Sequence, residues 1–199
     1  MTGFLKRDLY LSVPFLRMYG IFLAVSLFLT TRSDKLGQMY LLYLTVLGTV
    51  GVQNLFTFDE VNGWRSYAAA VPGGRRSMVD AHYLLALGLG GILALAELFV
   101  GWRLEGEGLF YTGLFLLLLA LLLPAACRFG SRLVSAVYLL VLGAAVVGVI
   151  FFLAWWDLML GWNMDGTLAA LSGALPLVGL VLFLLSWPLS RLIMKKKEC

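Results

Sequence analysis

Charge is the first thing this chain lacks. Only 13% of its 199 residues are Asp, Glu, Lys or Arg, about half the share usual in a soluble domain, while 61% are hydrophobic. A deficit of this size excludes an ordinary soluble fold, and the wealth of Leu, Val and Phe excludes disorder. Cysteine is nearly missing too. Cys127 and Cys199 are the only two, which excludes a secreted disulfide scaffold. Their basic neighbours, Arg128 and Lys195-Lys196-Lys197, favour a reducing compartment with both thiols free. Histidine is represented by His82 alone, so no Cys/His cluster with ligand spacing exists and no metal site is expected. No glycine is followed by lysine, so the G-x-x-x-x-G-K-[ST] phosphate loop is absent and this polypeptide does not bind ATP by that route.

What the chain has instead is long apolar runs. A mean hydropathy of +0.93 is spread along the whole length rather than concentrated in one anchor. A membrane span needs about 20 apolar residues, and six such runs are present. Their expected spans are residues 16–31, 36–58, 81–101, 109–127, 133–156 and 167–189. Six spans leave short connectors and no room for a soluble catalytic domain, so the expected fold is all-α, a polytopic membrane protein in a single transmembrane domain.

The first run begins at Leu9 and contains Pro14 and Arg17, which are costly in mid-span. Leu5, Leu9, Val13 and Leu16 recur near helical spacing while Lys6, Arg7 and Asp8 take polar positions. This pattern predicts an amphipathic helix over 4–15 lying along the membrane surface, ahead of the first true span. A secretory signal peptide is the competing reading, but no small-residue cleavage site follows and five further spans do. Arg17 is placed at the inner interface, where it meets lipid phosphate.

Basic residues set the orientation. With alternating spans, twelve of the 15 Lys and Arg fall on one side: Lys6, Arg7, Arg17, Arg65, Arg75, Arg76, Arg128, Arg132, Arg191 and Lys195 to Lys197. Arg32, Lys35 and Arg103 fall on the other. The positive-inside rule then makes both termini cytoplasmic. Trp102, Trp155, Trp156 and Trp162 mark the outer boundary and Trp64 and Trp187 the inner one. Gly88, Gly90 and Gly91 lie within the third span, where small residues let helices approach closely.

The connector 59–80 is the longest polar stretch and faces the cytoplasm in this topology. Asp59, Glu60, Trp64, Arg65, Tyr67, Pro72, Arg75 and Arg76 stand on it. An acidic pair, aromatics and an arginine pair on a short segment suit a docking surface, because Trp, Tyr and Arg are the usual anchors of protein interfaces. A solvated connector with interfacial aromatics is the alternative. Glu97 is the one acid inside a span. It either reaches the outer headgroups, with Arg103 as a partner, or lines a substrate pathway.

The order of these features resembles the small six-span permeases of bacterial ABC-2 type exporters. The resemblance runs through Leu5-Lys6-Arg7-Asp8-Leu9, two spans, Asp59 after Phe58, then Trp64, Tyr67, Val71-Pro72, Arg75-Arg76, Val79 and His82-Tyr83 at the third span. It covers nearly the whole chain in architecture, and its specific part is the connector. Two departures stand out. His82-Tyr83 occupies a place where Lys-Tyr is usual, and Gly73-Gly74 replaces a position that is often polar. The resemblance implies an elbow helix at the amino terminus and a coupling helix in the connector, seated in a cleft of a separate nucleotide-binding ATPase subunit that holds ATP and Mg. It also implies a second permease copy or paralogue, a bacterial cell membrane, and a chain that is not itself an enzyme. Within the family the sequence is similar to the short permeases that export amphipathic, membrane-active peptides such as the phenol-soluble modulins. No nucleic acid partner is expected. A membrane immunity or scaffold protein that binds a toxin or partner without transport is the second function compatible with the sequence.

Overall fold

The computed structural model describes residues 2–30, 34–104, 109–140 and 164–196. These form seven helices: α1 (Thr2–Thr30), α2 (Asp34–Val61), α3 (Trp64–Ala70), α4 (Gly74–Leu104), α5 (Phe110–Phe129), α6 (Ser131–Leu140) and α7 (Met164–Lys196). Five of them, α1, α2, α4, α5 and α7, are long and apolar enough to cross a membrane. The expected span 133–156 begins in α6 and otherwise lies outside the described residues.

The helices overrun the expected spans. At ~1.5 Å per residue the 31 residues of α4 measure about 46 Å, against roughly 30 Å of hydrocarbon. The surplus of α2 and α4 takes up 59–61 and 74–80, leaving 62–73 between them. That segment is therefore not an open loop but a short helix, α3, between two tight turns.

α1 also differs from expectation. It is unbroken from Thr2 to Thr30, with Pro14 inside, so 4–15 is not a separate helix. The reason is visible in its packed face. Asp8, Ser12, Phe15, Tyr19, Leu23 and Ser26 recur at three- and four-residue spacing on both sides of Pro14, and this one stripe packs on α2 and α4. One missing backbone donor at an exposed proline does not outweigh a continuous packing face.

α4 is the hub, touching α1, α2, α3, α5 and α7. Where helices press closest, glycine stands. The Phe115 ring of α5 fits between Gly48 of α2 and Gly90 of α4; a Cβ on these glycines would lie 2.9 and 3.3 Å from it. Gly88 and Gly91, by contrast, face open space, so of the three glycines only Gly90 serves close packing. α5 and α7 form the most extensive pair and cross at Gly113 and Gly179, where a Cβ on Gly113 would meet the Pro176 nitrogen at 2.6 Å. Such backbone proximity is how helices associate where lipid tails are as apolar as leucine.

Polarity is turned inside out. Asp8, Thr45, Thr49, Gln53, Asp59, Asp80, His82 and Glu97 are buried, whereas Phe28, Leu121, Leu140, Leu177 and Leu185 are exposed. In water this would be a large apolar patch, and in a bilayer it is the lipid-facing surface. Thr49 and Tyr138 share a buried hydrogen bond of 2.6 Å that ties α2 to α6. Cys127 is buried and in no disulfide among the described residues, and Cys199 lies outside them.

Candidate functional site

The amino-terminal half of α1, the end of α2, the starts of α4 and α6, and the ends of α5 and α7 meet at one end of the bundle. That end carries the residues assigned above to the basic side, and α3 lies across it.

Two glycine turns define α3. After Val61, the Asn62 amide and side chain both donate to the Phe58 carbonyl, and Gly63 turns left-handed at φ 70°. Val71 leaves the helix in extended conformation, as a residue before proline prefers. Then Val71-Pro72-Gly73-Gly74 closes with the Gly74 amide donating to the Val71 carbonyl at 2.9 Å and Gly73 at φ 70°. Proline second and a left-handed glycine third are the chemistry of a type II turn. Gly74 must also be bare, because a Cβ there would lie 2.5 Å from the Ala68 carbonyl oxygen. Backbone geometry thus accounts for the Gly73-Gly74 departure.

The inner face of α3 rests on the bundle. Ala68 is buried, and the Arg7 guanidinium sits over the Trp64 ring at 4.7 Å. Its outer face is open. Tyr67 is 55% exposed, and Ser66, Ala69, Ala70, Val71, Pro72 and Arg76 are exposed with it. Arg75 is half-buried, and the side chain of Arg65 lies outside the described residues.

The acidic pair does not share that open surface. Asp59 is 0% exposed and accepts from Arg7, whose Nη2 lies 2.8 and 3.0 Å from its two oxygens. Arg7 also grips Asp8 at 2.6 Å. His82 completes the cluster: its ring stacks on Phe56 at 4.2 Å, and its Nε2 stands 3.3 Å from Asp59 and 3.6 Å from Asp8. Four ionisable side chains from α1, α2 and α4 are thereby gathered beneath α3. Glu60 turns the other way. Its Oε2 accepts from the Ser131 amide at 2.8 Å and the Ser131 hydroxyl at 2.5 Å, capping α6 across the left-handed Gly130. Of the expected docking residues, then, Tyr67, Pro72 and Arg76 are exposed, while Asp59 and Trp64 meet Arg7 beneath α3 and Glu60 caps α6.

Glu97 belongs to the opposite end. It is 3% exposed and its carboxylate meets the start of α5, accepting from the Tyr111 amide at 2.5 Å, the Thr112 amide at 2.9 Å and the Thr112 hydroxyl. Neither of the two sequence-based alternatives described this. An acid on one helix caps the next, whose first amides have no partner within their own helix.

Asp80 and Tyr83 were not legible as interacting residues. Asp80 accepts from Trp187 and Arg191 of α7, and the Tyr83 hydroxyl contacts Ser186 and Ser190. The one signal in the sequence was a buried-type acid three residues before a tyrosine on an apolar helix face.

A polytopic helical bundle, apolar outside and polar within, with one small helix at its basic end, is the architecture of an integral membrane component. The chain belongs to the family described as ABC-2 family transporter protein, whose pattern matches residues 3–195. Members form the membrane component of ABC transporters, with ATPase activity in a separate partner subunit. No curated protein and no solved structure matches the chain.

Proposed function

We propose that this chain is the permease subunit of an ATP-driven exporter and that α3 is its coupling helix, seated in a cleft of the ATPase subunit. The observation that carries this reading is the exposure of Tyr67 on a short helix fixed at both ends by glycine turns, with Val71 and Pro72 in the following turn and Arg76 at the start of α4 also exposed. Aromatic and arginine anchors on a rigid element give affinity without a large ordering cost. Asp59 and Trp64, both in contact with Arg7, act beneath it as the mount, and Glu60 ties the end of α2 to α6. Arg65 and Arg75 complete the set of docking residues in this reading. Two permease copies, or this chain and a paralogue, form the pathway, and closure of two ATPase subunits on ATP and Mg moves them against each other. Both termini are cytoplasmic in a bacterial cell membrane. The substrate is an amphipathic, membrane-active peptide, in keeping with the likeness to short peptide-exporting permeases.

The test is a purified complex with its ATPase in sealed vesicles. ATP-dependent accumulation of a fluorescent amphipathic helical peptide supports the reading, together with cross-linking of Tyr67→Cys to the ATPase. A permease that copurifies with no ATPase and exports nothing sinks it in favour of an immunity or scaffold role.

A further inference from the structure

α7 is held by different kinds of contact at its middle and at its basic end. Near Gly179 it meets Gly113 of α5 backbone to backbone, a contact with no side chain between. At the basic end it meets α4 through polar groups. The Asp80 Oδ1 atom accepts from Trp187 Nε1 at 2.8 Å and from Arg191 Nε at 2.6 Å. One turn further along α4, the Tyr83 hydroxyl lies 3.0 Å from Ser186 Oγ and 2.8 Å from Ser190 Oγ, and its ring stacks on Trp187 with an interplanar angle of 10°. Pro188 sits inside this clamp, so α7 lacks one helical hydrogen bond where α4 grips it.

Asp80 is the seventh residue of α4, whose first residue, Gly74, is wedged against the Ala68 carbonyl of α3. The amides of Gly74 and Ser77 close the turn on Val71 and Gly73. α3 and the first turns of α4 therefore move as one corner. A displacement of α3 reaches Asp80 with little slack, and a charge-assisted bond to Arg191 passes it to the end of α7.

We infer that Asp80 is a positioning residue of the transport cycle, linking the α3–α4 corner to α7 so that α7 carries the movement of the ATPase across the membrane. This rests on the reading of α3 as the docking helix.

The experiment uses the permease–ATPase complex in lipid nanodiscs, spin-labelled at Leu42 on α2 and Leu184 on α7, both exposed. The distance between them is compared without nucleotide and with the ATP–vanadate-trapped complex, so no cargo is needed. A nucleotide-driven change is expected in the otherwise native protein. Asp80→Asn, which keeps an acceptor for Trp187 and removes the charge facing Arg191, is expected to cut that change to about half or less, and Arg191→Gln to do the same with no further loss in the double variant. ATPase pull-down stays intact in all three. Should Asp80→Asn fail to fold, Trp187→Phe, which deletes one N–H and keeps the ring on Tyr83, reads the same link. An undiminished change in these variants, additive losses, or an α7 that does not move at all overturns the proposal. Tyr67→Ala is the separate control: pull-down retained there removes the docking reading, whereas pull-down lost there with normal α7 movement in Asp80→Asn removes only the role of Asp80.

Discussion

The Glu97 carboxylate of α4 accepts the backbone amide of Thr112 of α5 at 2.9 Å, joining two helices at the end of the bundle opposite α3. Replacing Glu97 by Ala removes the carboxylate that accepts from the Tyr111 and Thr112 amides, and a buried amide that loses its acceptor costs about 1–3 kcal/mol. Thermal unfolding in detergent should fall sharply for Glu97→Ala and less for Glu97→Gln, which keeps one acceptor oxygen. Equal, small shifts for both variants would remove the capping role.

Asp59 and Tyr67 separate support from contact. Asp59→Ala takes one partner from a buried ion pair, a change that costs about 3–5 kcal/mol in such settings. It should lower the unfolding temperature and the yield of inserted protein. Tyr67→Ala removes an exposed ring that makes only an edge contact with Trp64 at 5.3 Å, so stability should fall little while ATPase affinity drops by about tenfold, or about 1.4 kcal/mol. Pull-down and unfolding measured side by side check the pair. A stable Asp59→Ala protein with a selective docking defect contradicts it.

The turn before α4 should resist even the smallest side chain. Gly74→Ala sets a methyl 2.5 Å from the Ala68 carbonyl, and Gly73→Ala forces an L-residue to φ 70°. Each should destabilise the α3–α4 corner by more than about 1 kcal/mol. Limited proteolysis around Val71 reads this directly, and cleavage no faster than in the parent chain would argue against a rigid corner.

Orientation is checked by single cysteines in a chain lacking Cys127 and Cys199. Ala70→Cys, exposed on α3, should resist an impermeant reagent in intact cells and react once they are opened. Glu105→Cys should react from outside. Labelling of Ala70→Cys in intact cells reverses the topology. Gly74 is unsuitable for this purpose because it is buried.

The sequence by itself determined what depends on local chemistry. Apolar runs of about 20 residues fix where helices cross, since a backbone in hydrocarbon has to satisfy its hydrogen bonds internally. The sorting of Lys and Arg between alternate connectors points to one basic end, and Val71-Pro72-Gly73-Gly74 spells a turn. Only the tertiary structure decided the fate of the ionisable residues. Asp59 finds Arg7 52 residues away, Glu60 finds Ser131 71 away, and Asp80 finds Trp187 107 away. Nothing in a local window distinguishes an acid that will be buried against such a partner from one that faces water. The same holds for α1, where Pro14 reads as a break until the continuous stripe from Asp8 to Ser26 is laid against α2 and α4, whose packing free energy exceeds the cost of one missing backbone bond.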